Sequence, residues 1–127
     1  MTSQAAQKGY GHAQRSAGTA RGVEMRVLSN ITSTLIRANR TRDTAYSDFV
    51  DALKANADIW RLFAQDLSHP ANGLPMELRQ RLFALAGFVH DETNRILQGT
   101  CDASDLCAIN KDILIGLSDH EPVAVAS

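Results

Sequence analysis

Four histidines (His12, His69, His90, His120), two cysteines (Cys101, Cys107) and two aspartates three residues apart (Asp102, Asp105) are the side chains here best suited to hold a metal or move a proton. A metal site on a helix needs ligands three or four positions apart, as in H-E-x-x-H. His90 is followed directly by Asp91 and Glu92, which point in other directions, and four residues on by Asn94. Zinc needs about four ligands at short, regular spacing, and two cysteines do not supply them. A disulfide needs an oxidising compartment that nothing in the sequence suggests, so both cysteines read as thiols flanking a helix. No G-x-S-x-G elbow, G-x-G-x-x-G turn or phosphate-cradling loop occurs. Asp102 and Asp105 read as a helix start, where acids complement the dipole. The residues therefore imply no catalytic centre, no metal and no cofactor, and the chain is not expected to be an enzyme.

The elements that would position any site are helices. The chain has 127 residues, enough for one domain with a core that stands without disulfides. Hydrophobic residues make up 44% and charged residues 21%, ordinary values for a soluble protein. No apolar run is long enough to span a bilayer, and the start lacks the basic and apolar stretches of a secretory signal, so a cytoplasmic location is expected. Net charge is −1, but its distribution is uneven. Residues 1–42 hold seven basic residues against Glu24 alone, whereas the remainder holds six against thirteen acids. A basic helix packed on an acidic body accounts for this. A nucleic-acid arm fits less well, because no aromatics interleave the arginines for stacking.

Apolar spacing of three and four defines four helices joined by short loops, an all-α bundle. The first spans about 19–40, with Thr19 as cap and a stripe of Ala20, Val23, Val27, Ile31, Thr34, Leu35 and Ala38. The second spans about 44–67, with Asp43 as cap and a stripe from Tyr46 through Phe49, Leu53 and Trp60 to Leu67. Pro75 suits the first turn of the third helix, and Gly99 suits its left-handed end. Its apolar sides, Leu78, Leu82, Leu85, Val89 and Ile96 on one hand and Met76, Phe83, Gly87 and Leu97 on the other, place it at the centre of the bundle. Gly87 there reads as a point of close backbone approach. The fourth helix spans about 103–117, capped by Asp102, on a stripe of Leu106, Ile109, Ile113 and Leu117. Residues 1–18 and 118–127 read as flexible, which leaves 19–117 as the helical domain.

Large apolar side chains exceed what single stripes require. Trp60 reads as core. Phe63, Phe83, Phe88 and Leu114 leave the main stripes and are the candidate protein-binding residues, lining a groove for an amphipathic helix. Phe83→Asp is then expected to abolish partner binding while leaving helix content intact. Asn110 falls on the apolar stripe of the fourth helix. A buried amide needs partners, and Asn72 or Arg79 could supply them; Asp66 and Arg79 could pair across the loop between the second and third helices. A helix-turn-helix reading is weakened by the acids on the third and fourth helices.

The order of short motifs carries a resemblance. Ile59-Trp60 through Asp66-Leu67, then Asn72-Gly73-Leu74-Pro75, Leu78-Arg79, Ile109-Asn110, Ile113 and Gly116-Leu117 resemble the pattern W-x-x-F-x-x-D-L, N-x-L-P-x-x-L-R and L-x-x-I-N-x-x-I-x-x-G-L of the flagellar regulators called FlaF. Tyr10, Arg21, Glu24, Leu28, Ile31 and Leu35 match that family's start, although Ala20-Arg21 stands where the family often has proline-arginine. The resemblance covers about residues 10–117. It implies a flagellum biogenesis factor that binds flagellin by a terminal helical segment, chaperone-like. Such a factor promotes flagellin synthesis and secretion opposite the regulator FlbT, a second candidate partner. The alternative is a post-transcriptional regulator that binds flagellin mRNA through the basic first helix. The residues themselves argue against nucleic acid and against a membrane.

Overall fold

A computed structural model describes the backbone of residues 13–126 and the side chains of residues 24–116. Four helices follow one another: α1 (Ala13–Arg40), α2 (Tyr46–Ser68), α3 (Met76–Leu97) and α4 (Ser104–Ala126), with no strand among the described residues. The all-α expectation holds. Short connections force antiparallel neighbours. α1 packs on α2 and on α4, and α2 packs on α3, whereas α3 and α4 approach each other only briefly. Among the described residues the bundle is thus a four-sided ring whose α3–α4 side is thinly packed. The sequence places α3 at the centre. In the structure α1 and α2 each have two full neighbours and α3 has one, because the second apolar side of α3 faces solvent: Met76 is 63% exposed and Phe83 51%.

Local chemistry sets the junctions. α2 ends at Ser68 ahead of His69-Pro70, since the residue before a proline avoids helical geometry. Pro75 takes the N-cap position and α3 begins at Met76. Gly99 carries φ +84 and closes α3, its N–H donating to Ile96 O at 2.9 Å and the Thr100 N–H to Arg95 O at 3.2 Å. Asp102 Oδ1 accepts the Ser104 N–H at 2.9 Å, as its reading as a cap requires. Asn39 of α1 adds a second clamp by accepting the Ala103 N–H at 2.9 Å.

Other junctions differ from the sequence reading. Asp43 does not cap α2; Ala45 holds that place, without a side-chain bond, after a turn closed by Thr44 and Ala45 N–H bonds to Thr41 O. Thr19 lies inside α1, which starts six residues earlier, so residues 13–18 are helical while the rest of the N-terminal segment lies outside the described residues. α4 continues past residue 117 to Ala126, where the sequence suggests a loose tail.

The core runs through Leu28, Leu35, Phe49, Leu53, Trp60, Val89, Ile96 and Leu106, all buried. The α1 stripe is rotated from the expected one: Leu28 and Thr32 are buried, while Val27 is 37% exposed and Thr34 is exposed. Tyr46 is likewise outside, at 52%. Gly87 makes no close approach; a Cβ there would meet nothing within 4 Å.

Three buried polar side chains explain the rotation. Asn110, wholly buried, accepts from Trp60 Nε1 at 2.9 Å. Its Nδ2 donates to Asn56 Oδ1 at 2.7 Å and to Thr32 Oγ1 at 3.0 Å. The Thr32 hydroxyl passes its own proton to Leu28 O at 2.7 Å. One amide therefore keys α1, α2 and α4 together. Its partners are neither Asn72 nor Arg79.

Candidate functional site

An apolar furrow lies beside the α2–α3 loop, lined by residues of all four helices. Met25 of α1, Trp60, Phe63 and Leu67 of α2, Leu74 of the loop, Leu82 of α3 and Ile113 of α4 line a cleft of about 50 Å³, together with Glu24 and Asp66. The floor is stiff. Trp60 is fixed by its bond to Asn110, and Phe63 meets it edge to face with ring centroids 5.4 Å apart. Leu74, Leu82 and Ile113 are only half-buried, so the walls keep some apolar surface exposed.

The loop that forms one end of the furrow is tied by side chains. Arg79 Nη2 donates to Leu67 O at 2.9 Å and to His69 O at 3.2 Å, and its Nε donates to Leu67 O at 3.2 Å. These bonds satisfy carbonyls that the end of α2 leaves free. Asn72 Nδ2 donates to Asp66 O and Asp66 Oδ2, each at 3.1 Å, and Asn72 Oδ1 accepts the Leu74 N–H at 3.0 Å. The ion pair expected between Asp66 and Arg79 is absent among the described residues; each instead binds amide or carbonyl groups of the loop.

The four candidate side chains separate. Phe63 lies in the furrow. Phe83 is 51% exposed and lines a different crevice, between α2 and α3, with Ala57, Arg61, Ala86 and His90. Phe88, 40% exposed, carries the Arg95 guanidinium 5.6 Å above its ring. It shares the helical row Leu85–Phe88–Glu92, and Glu92 meets Cys101 in the connection to α4, so Phe88 flanks the α3–α4 side. Leu114 is half-buried and packs against the core. The structure thus brings Phe63 together with Leu82 and Ile113, which sequence reasoning assigned to packing stripes. The signal for them was present, since apolar residues at steps of three and four mark both helices. What was missing is the meeting of side chains from all four helices at this point, a tertiary feature.

At the opposite end of the bundle, buried Glu92 is held by Arg95 through two bonds to Oε1, at 2.8 and 3.0 Å, and accepts from Cys101 Sγ at 3.5 Å. The Glu92 carboxylate beside it raises the Arg95 pKa further. The Ser104 N–H, with Arg42 3.9 Å away, holds the Asp102 carboxyl below the usual range. Burial pushes the Cys107 thiol up. These groups brace the α3–α4 corner, and no three His, Cys, Asp or Glu side chains gather as metal ligands among the described residues.

Fold and furrow together define a small helical protein, thinly packed on one side, that offers an apolar groove. The model of the family "Flagellar protein FlaF" matches residues 6–117, and the chain belongs to that family. It is therefore a flagellar protein, as its motif order implies. No curated protein and no solved structure matches the chain significantly. No helix among the described residues is long and apolar enough to cross a membrane.

Proposed function

We propose that this protein binds a terminal helical segment of flagellin in the furrow beside the α2–α3 loop. By doing so it acts as a chaperone that promotes flagellin synthesis and secretion, opposite FlbT. The single observation that supports this reading is the open apolar furrow on a stiff aromatic floor. Flagellin ends are amphipathic helices that must be shielded before assembly, and a helix-in-groove site suits them. Half-buried Phe63, set on buried Trp60, supplies the aromatic contact, and the half-buried Leu74, Leu82 and Ile113 supply walls that a partner can cover.

The test is co-purification of flagellin with two single variants. Leu82→Asp places a charge in the furrow and is expected to abolish capture with unchanged helical circular dichroism. Phe83→Asp alters the separate α2–α3 crevice and reports whether that face contributes. Retention of flagellin by Leu82→Asp would refute the furrow as the site. Repeating the capture at rising salt separates flagellin from mRNA. A steep loss would favour RNA held by α1, whose Arg26, Arg37 and Arg40 are exposed, whereas apolar capture barely responds.

A further inference from the structure

The outward face of α3 carries a repeat that the single chain leaves unused. Met76, Phe83, His90 and Leu97 recur at every seventh position, and Gln80, Gly87 and Asn94 stand between them. The row thus advances by steps of four and three along the whole helix, and every member is exposed. That spacing keeps one seam of a helix against a second helix. The buried residues of α3, among them Ala86, Val89 and Ile96, lie off the row. Gly87 stands at the middle of α3, and a Cβ there would meet nothing within 4 Å. Glycine weakens a helix interior relative to alanine, so its place here brings the single chain no benefit, while it lets another backbone come close. The crevice beside it is bordered on α2 by Ala57, Ala64 and Arg61, and Arg61 is held by Asp58 at 2.7 Å.

We infer that the outer face of α3 takes a second copy of this chain, the two α3 helices running antiparallel and crossing at Gly87. A two-fold axis at that midpoint sets Met76 against Leu97 of the second copy, Phe83 against its His90 and Gln80 against its Asn94. Apolar side chains meet at the ends, and amides meet between them. Charge picks the direction. One side of the row carries Glu77, Arg81, Asp91 and Arg95, all exposed. Antiparallel pairing sets Arg81 against Asp91 of the second copy and Glu77 against its Arg95, whereas parallel pairing sets each charge against its like. Arg81 and Asp91 make no ion pair among the described residues, so theirs is the stronger match; Arg95 already holds Glu92. A helix of 22 residues is about 33 Å long and about 10 Å across, so each copy buries several hundred Å², the low end of specific interfaces. The dimer is therefore a weak one. Leu82, the furrow residue of α3, is outside the row, so dimer and furrow are separate.

Sedimentation equilibrium of the full chain tests this. The mass is expected to climb from one chain toward two, with a Kd of roughly 10–100 µM at low ionic strength. Gly87→Glu puts its side chain into open space in the single chain, so helical circular dichroism is retained. It also brings two carboxylates together at the axis, and dimerisation is expected to weaken by about tenfold or more. Arg81→Glu sets acid against Asp91 on both sides of the axis and is expected to weaken the dimer about tenfold at low salt; adding Asp91→Arg restores it. A parallel pair is indifferent to both changes, so an Arg81→Glu chain that dimerises like the parent overturns the antiparallel register. A chain that stays monomeric up to about 1 mM, or a dimer that Gly87→Glu leaves intact, overturns the inference as a whole.

Discussion

Replacing Asn110 by leucine removes the key of the bundle while keeping about the same volume. Asn110 is fully buried and makes three side-chain bonds, to Trp60, Asn56 and Thr32, at 2.7–3.0 Å. Leucine leaves the Trp60 N–H and the Asn56 carbonyl oxygen without partners. Thr32 loses only an incoming proton, because its own bond to Leu28 O persists. Each orphaned buried group costs about 1–3 kcal/mol, so the substitution is expected to cost about 3–5 kcal/mol. That is a large share of the roughly 5–15 kcal/mol available to a domain of this size. Urea unfolding followed by Trp60 emission reads it directly: with a slope of about 1.5 kcal/mol per molar, the midpoint falls by about 2–3 M. Asn56→Leu is the control. Asn56 Nδ2 finds no acceptor among the described residues, so leucine there removes an unsatisfied donor together with one accepted bond. Its cost is expected to stay within about 1 kcal/mol. A midpoint shift for Asn110→Leu no larger than that of Asn56→Leu would refute the account of the network.

Arg79→Ala frees the carbonyls of Leu67 and His69 and is expected to cost about 1–2 kcal/mol, with faster amide exchange confined to residues 66–75. The Asp102 carboxyl is lowered chiefly by the Ser104 N–H, so its contribution is present above the ordinary aspartate pKa and is lost as pH falls through the folded value. Asp102→Asn should therefore lower the neutral plateau and flatten the acid limb of the stability curve below about pH 4, so that variant and parent converge in acid. A thiol reagent at mildly alkaline pH should modify exposed Cys101 promptly and reach buried Cys107, whose thiol is raised by desolvation, only on unfolding. Two fast equivalents in the native protein would contradict the burial of Cys107.

The sequence made the punctuation legible. Pro70, Pro75, Gly99 and Asp102 each act through local backbone chemistry, so their effects survive in the fold. The order of helices and the burial of Trp60 followed from the same period of three and four. The face that α1 buries did not, because Thr32 is polar and earns its buried place only through Asn110, far along the chain. Asn110 itself stood out on an apolar stripe, yet its partners on α1 and α2 could not be named from spacing. Glu92 is a similar case: its burial depends on Arg95 one turn away and Cys101 across the corner. At the site, Phe63 was legible as surplus to the stripe of α2. The place of Leu82 and Ile113 in the cleft was not, because both look like packing residues until the helices are assembled.

No side chain of α3 joins the hydrogen bonds that Asn110 collects among the described residues. α1, α2 and α4 thus behave as a braced tripod, and α3 leans on it by greasy contact and by its fastened ends, Arg79 below and the Gly99 turn above. Outward movement of α3 would leave the Asn110 bonds intact, and it is resisted by packing on α2, by the Arg79 bonds and by the Glu92–Cys101 contact. The frame that fixes Trp60 thus stands apart from α3 and keeps the ring in place whatever α3 does.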